Sequence, residues 1–136
     1  MRREGGTQEP DTRPIGIIGY NFHKIDMNGV IVESTVKKPV FDWMRSLDGV
    51  SLEDALSPSE LQKYTFTLFR ALTSGQPQWM EYAVGGEVFF ALALFNRDDG
   101  LFHVHEMPFG SWPICEAKAL LKSIVSERYE NKQIPQ

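Results

Sequence analysis

The chain has 136 residues, 42% hydrophobic and 24% charged, which fits one globular domain and excludes disorder over most of its length. With 14 Lys and Arg against 18 Asp and Glu, the net charge is −4 and no dense basic run appears, which argues against non-specific nucleic-acid binding. A single cysteine, Cys115, excludes an internal disulfide and a Cys-only metal site and suits a reducing compartment, so the cytoplasm is expected; no apolar run approaches the ~20 residues of a membrane span, and the polar start lacks a signal-peptide core.

Residues 1–13 are rich in charge, Gly and Pro without periodicity and read as a mobile arm; the folded domain is expected over 14–107, with a mostly helical extension over 108–136. Two extended runs, 20–27 and 30–34, flank Asn28-Gly29, the signature of a two-residue type I′ hairpin. That turn predicts Met27 opposite Val30, Ile25 opposite Val32 and His23 opposite Ser34 on a mainly apolar face. Lys24 opposite Glu33 and Asp26 opposite Ile31 then occupy the other, wetter face. Pro39, Val40, Trp43 and Met44 are spaced as a short helix stopped by Asp48-Gly49. Ser51-Leu52-Glu53-Asp54 and Ser57-Pro58-Ser59-Glu60 are both N-cap sequences, the second a capping box with Pro at the first helical position. It opens the main helix, in which Leu61, Tyr64, Leu68 and Leu72 recur every three or four residues up to a left-handed stop at Gly75.

Three further strands, 79–84, 87–95 and 101–107, are joined by Gly85-Gly86 and Arg97-Asp98-Asp99-Gly100 and read as an antiparallel meander. Counting out from the turns pairs Tyr82 with Phe89, Met80 with Ala91, Phe95 with Phe102 and Ala93 with Val104. One face then holds those eight residues, and the other Glu81, Val88, Phe90, Leu92, Leu94, His103 and His105. Both faces of the middle strand are apolar, so something must cover each. After Trp112-Pro113, the spacing of Ile114, Ala117, Leu121 and Ile124 predicts a helix, too short for a coiled coil and suited to covering a sheet face.

The order strand, strand, small helices, longer helix, three strands, over about 95 residues, resembles a PAS domain. Ile25-Asp26-Met27-Asn28-Gly29-Val30-Ile31-Val32 is similar to that family's opening hairpin, with an Asp before the turn glycine. Gly49-Val50-Ser51-Leu52-Glu53-Asp54-Ala55-Leu56 resembles its Gly-x-Ser/x-Leu-x-Asp-x-Leu stretch, and Asn96-Arg97-Asp98-Asp99-Gly100 falls where the family turns between its last two strands. The resemblance implies an α+β fold: a five-stranded antiparallel sheet in the order 2-1-5-4-3, with helices covering one face around a ligand-sized cavity. It points Ile25, and with it His23, into that cavity, and puts Ala91 and Ala93 on the inner face. Val88, Phe90, Leu92 and Leu94 then lie outside as an apolar patch for contacts. It further implies a sensor of small molecules, redox state or light, or a protein-interaction module, in signal transduction. No effector domain accompanies it. The flavin-photosensor cysteine motif is missing, since no cysteine precedes Cys115, and residues 57–75 contain no histidine to ligate haem, so no cofactor is named.

These readings make His23, Ile25, Trp43, Tyr64, Tyr82, Phe89, Ala91 and Ala93 the candidate ligand-binding residues. His23 and the tyrosines supply hydrogen bonds, the aromatics, with Phe66, Phe69 and Phe95, supply a wall for a planar ligand, and the alanines leave volume. Each also has a plainer reading as core filling. Val88, Phe90, Leu92, Leu94, His103 and His105 form the candidate dimer or partner face, with a homodimer expected. His103-x-His105 has a spacing that metal sites use, but two ligands are too few and Glu106 points to the other face, so no metal is assigned. No nucleophile–base set or phosphate-binding glycine loop appears, so no catalytic residue is assigned. A ligand-free interaction adaptor is one alternative. A small α+β barrel enzyme using His23 and Asp26 is another, opposed by the parity that sends the two to opposite faces.

Overall fold

Alternation at period two builds five antiparallel strands into one sheet. The computed structural model describes residues 20–36, 47–108 and 113–130. Its strands are β1 (Asn21–Ile25), β2 (Ile31–Val36), β3 (Gln78–Val84), β4 (Glu87–Asn96) and β5 (Leu101–Pro108), arranged in the order β2-β1-β5-β4-β3. The N-terminal hairpin thus pairs with the last strand of the meander, giving the α+β class and strand order expected from the resemblance. Helices α1 (Leu52–Ala55) and α2 (Pro58–Ser74) pack on one face. Helix α3 (Ile114–Val125), running on into a π-helical turn (Ser126–Glu130), packs on the other. The arm expected over residues 1–13 and the short helix around Trp43 lie outside the described residues.

The first hairpin keeps half of its expected register. His23 pairs with Ser34 and Lys24 with Glu33, but the ladder slips after Lys24 and Ile25 faces Ile31 instead of Val32. The cause is the turn. Its hydrogen bond runs from the Gly29 N–H to the Asp26 carbonyl at 3.0 Å, so Met27 and Asn28 are the central residues and Gly29, at φ 81°, forms a bulge. The Asp26 carboxylate accepts the N–H groups of Asn28 and Val30 and holds this geometry. One extra residue reverses side-chain parity, so Ile31 enters the core and Val32 is exposed. Ile31 then ties in the next segment, its N–H donating to Val50 and its carbonyl accepting from Gly49.

The meander follows its predicted register throughout, with Tyr82 opposite Phe89, Met80 opposite Ala91, Ala93 opposite Val104 and Phe95 opposite Phe102. Gly85 and Gly86 both have positive φ, as a type I′ turn requires. Helix α2 starts at Ser57, whose hydroxyl accepts the Glu60 N–H, carries Pro58 in its first turn and stops at left-handed Gly75. The reciprocal half of the capping box is not made. Glu60 instead reaches to the sheet, where its carboxylate accepts the Ala83 N–H at 2.9 Å and pairs with Lys63 at 3.2 Å. Because β3 is an edge strand, this contact occupies an N–H that the ladder leaves open.

The face expected to be free for a partner is covered by the chain itself. Ala117, Leu121 and Val125 of α3, with Tyr129 beyond them, pack on Phe90, Leu92, Leu94 and Met107, leaving Leu92 3% exposed. His103 and His105 are buried beneath the same cover, and of the six residues expected at a partner face only Val88 stays substantially open. The two-sided apolar character of β4 therefore reflects a helix on each side, and the outer patch is a second core.

Candidate functional site

On the inner face, parity brings Asn21 and His23 of β1 beside Glu106 of β5, and Tyr82 of β3 reaches over from the far side of the sheet. Glu106 is 0% exposed. Its carboxylate accepts the Tyr82 hydroxyl proton and, at 3.0 Å, an Asn21 Nδ2 proton, and it sits 3.1 Å from His23 Nε2. His23 Nδ1 is in turn hydrogen-bonded to the Ser34 hydroxyl at 2.7 Å. Burial by itself pushes the Glu106 carboxyl up, but His23 and the hydrogen bonds from His23, Tyr82 and Asn21 outweigh it and hold the group below its ordinary value. The Tyr82 phenol is pushed well up by burial and by the carboxylate it faces, so it stays protonated and donates.

Beside this cluster lies a void of about 30 Å³ lined by His23, Tyr64, Tyr82, Leu52 and Leu56 among others. It has room for about one water molecule. Tyr64 meets Tyr82 edge to face, with centroids 4.9 Å apart. It is 2% exposed, and its hydroxyl has no hydrogen-bond partner among the described residues. A buried hydroxyl without a partner costs about 1–3 kcal/mol, and a hydrogen-bonding molecule in this void would relieve that cost.

The candidate ligand residues divide accordingly. His23, Tyr64 and Tyr82 meet at the void; Ile25, Phe89, Ala91 and Ala93 are inward but closed in the core, the alanines packed beneath α2 and leaving no volume of their own. Trp43 lies outside the described residues. Phe66 and Phe69, weighed as cavity wall, are each 59% exposed on the outer side of α2, because they fall between the buried positions Tyr64, Thr67, Leu68 and Ala71. Asp26 is occupied by its turn. The partner His23 does have is Glu106, yet both are buried and the adjoining void has no room for a substrate. Glu106 and Asn21 are not among the residues expected at the site, although parity places them with Val104 and His23, and a charged residue at an inward position is the readable signal.

The outer face carries a second polar group that local sequence gives no means of joining. Tyr20 Oη lies 2.6 Å from His105 Nδ1, His105 Nε2 2.7 Å from Tyr129 Oη, Tyr129 Oη 2.7 Å from His103 Nδ1, and His103 Nε2 2.8 Å from Asp99. One proton arrangement satisfies all four. His103 donates Nε2–H to the Asp99 carboxylate and accepts the Tyr129 proton; His105 donates Nε2–H to Tyr129 and accepts the Tyr20 proton. Every ring is then neutral and every donor used once. Burial supports this state by pushing His105 down to about 3, helped by Arg128, and by lowering His103 against the pull of Asp99. It also raises Tyr20 to about 12. Among the described residues no three His, Cys, Asp or Glu side chains are grouped to hold a metal, and both His103 and His105 have each ring nitrogen engaged. In comparison with known proteins, the chain matches no family model and no curated protein.

Proposed function

We propose that this domain is a PAS-like, non-catalytic module of cytoplasmic signal transduction that senses a small hydrogen-bonding molecule at the Glu106 cluster and answers through α3. One observation supports the reading above others. On β5 the inward Glu106 and the outward His105 are chain neighbours, so the strand whose Glu106 pairs with His23, a lining residue of the inner void, also carries hydrogen bonds to the C-terminal turn. Burying a carboxylate is costly, and its partners His23 and Tyr82 line the void together with the unpartnered Tyr64 hydroxyl, so the buried charge polarises the groups that a small molecule there would meet. The void as it stands holds about one water-sized molecule, so a larger ligand enters only if α1 moves away from the sheet. A planar cofactor does not fit.

Native mass spectrometry of freshly purified protein, with ultraviolet–visible absorbance on the same sample, tests this. The expected result is a colourless protein carrying a stoichiometric small mass that Glu106→Gln loses, together with faster hydrogen exchange in residues 114–130 of that variant. A bare chain whose exchange there is the same with and without Glu106 overturns the reading and favours a ligand-free interaction adaptor.

A further inference from the structure

A second, polar pocket of about 170 Å³ opens on the outer face where the π-helical turn meets the end of the sheet, lined by Lys24, Asn96, Asp98, Asp99 and Arg128 together with His103 and Tyr129. The last two have their polar atoms used in the hydrogen-bonded chain already described. The others do not. Asn96 is 8% exposed; its Oδ1 accepts the Asp98 N–H at 2.7 Å, which identifies the other terminal atom as Nδ2, and those two donors have no partner among the described residues. Arg128 lies with its guanidinium 4.3 Å from the Phe22 ring centroid and forms no ion pair among the described residues. Lys24 Nζ stands 3.5 Å from Glu33 and 3.9 Å from Asp99, both long, so the ammonium keeps donors to spare. Against these donors stand the Asp98 carboxylate and the second face of Asp99.

We propose that this pocket binds a small zwitterion of the α-amino-acid class. Two fixed cations with a nearly buried amide match a carboxylate, since guanidinium and amide N–H groups both donate to carboxylate oxygens. Two aspartates match an ammonium. The four charged side chains sum to zero, so a ligand of no net charge leaves the pocket balanced, whereas a simple anion or cation does not. The volume lies below the roughly 300 Å³ at which pockets for drug-sized ligands begin, which sets the ligand at a few heavy atoms. The site spans a seam: Arg128 comes from the C-terminal turn and the remaining charged groups from the sheet and its β4–β5 turn. A bound zwitterion therefore ties α3 to the sheet. The proposal stands apart from the Glu106 cluster, which is on the opposite face.

The test is titration with L-alanine, and with propionate and ethylamine as its one-charge counterparts, followed by backbone amide NMR. L-alanine is expected to shift residues 96–101 and 126–129 saturably, with propionate, ethylamine and the Asn96→Asp variant each weaker by about tenfold or more. Asn96→Asp retains the acceptor for the Asp98 N–H while replacing the donors with a negative charge that repels the ligand carboxylate, and Arg128→Gln gives a second variant, expected to weaken binding while the amide spectrum shows the fold retained. Unmoved resonances overturn the site, and propionate as tight as L-alanine overturns the zwitterion. The L-alanine titration is made on the unsubstituted protein, so its outcome stands whether or not Glu106→Gln loses a bound mass, and the two readings fail separately.

Discussion

Glu106 shows what one residue costs and organises. Its carboxylate takes hydrogen bonds from Tyr82 and Asn21 and pairs with His23, so removing it takes away the acceptor that these three buried groups share. Breaking a buried pair from one side costs about 3–5 kcal/mol, and Glu106→Ala is expected to fall in that range by urea denaturation. Glu106→Gln, which keeps an acceptor, should cost clearly less. Equal losses in the two variants would mean that the negative charge alone, and neither the volume nor a retained acceptor oxygen, carries the stabilisation. This residue was within reach of the sequence, since the alternation that turns Val104 inward turns Glu106 inward too. Its partner His23 was assigned inward for the same reason.

At the scale of elements, α3 converts an expected interface into a core. The spacing of Ala117 and Leu121 predicted the buried stripe, but its next member is Val125 rather than Ile124, which is only partly buried. Substituting Leu92→Glu was a natural way to disrupt a dimer through an exposed sheet face. With Leu92 beneath α3, the same change puts an unpaired charge into the outer core. It should lower the melting temperature sharply at every protein concentration and release α3, as hydrogen exchange over residues 114–130 would read. An unchanged melting temperature with altered mass in light scattering would show instead that this face is open in solution. The first hairpin carries a related lesson: Asn28-Gly29 correctly located the reversal, yet the Asp26 carboxylate closed the turn one residue earlier and exchanged Ile31 for Val32 in the core.

For the molecule as a whole, the buried histidines govern how stability varies with pH. Burial lowers both His103 and His105 below 6.5, so the unfolded chain takes up their protons first. Their stabilising neutral state is fully present above pH 6.5 and its benefit is lost as pH falls, for His105 down to about 3. Glu106 and Asp99, both held below their ordinary values, act in the same direction at lower pH. His105 alone contributes a slope approaching 1.4 kcal/mol per pH unit within its window, so urea midpoints should decline steadily below about pH 6. A level midpoint from pH 7 to pH 5 would mean that His103 and His105 are hydrated in solution. The same residues mark the division between what is local and what is not. Period-two alternation, paired turn glycines, the Ser57 cap and the Gly75 stop are properties of neighbouring residues, and from them alone followed the strand pairs of the meander, the inward side of β1 and of the three meander strands, and the main helix. The parity of β5 even separated His105 from Glu106. Which element covers each face, how much space remains inside and which polar groups meet are decided between residues far apart in the chain. Asn21 reaches Glu106 and Tyr20 reaches His105, each across 85 positions, and Tyr129 reaches His103 across 26. Hydrogen bonds and close packing act through space at a few ångströms and leave no periodicity in the chain, so only the folded sheet with a helix on either side determines them.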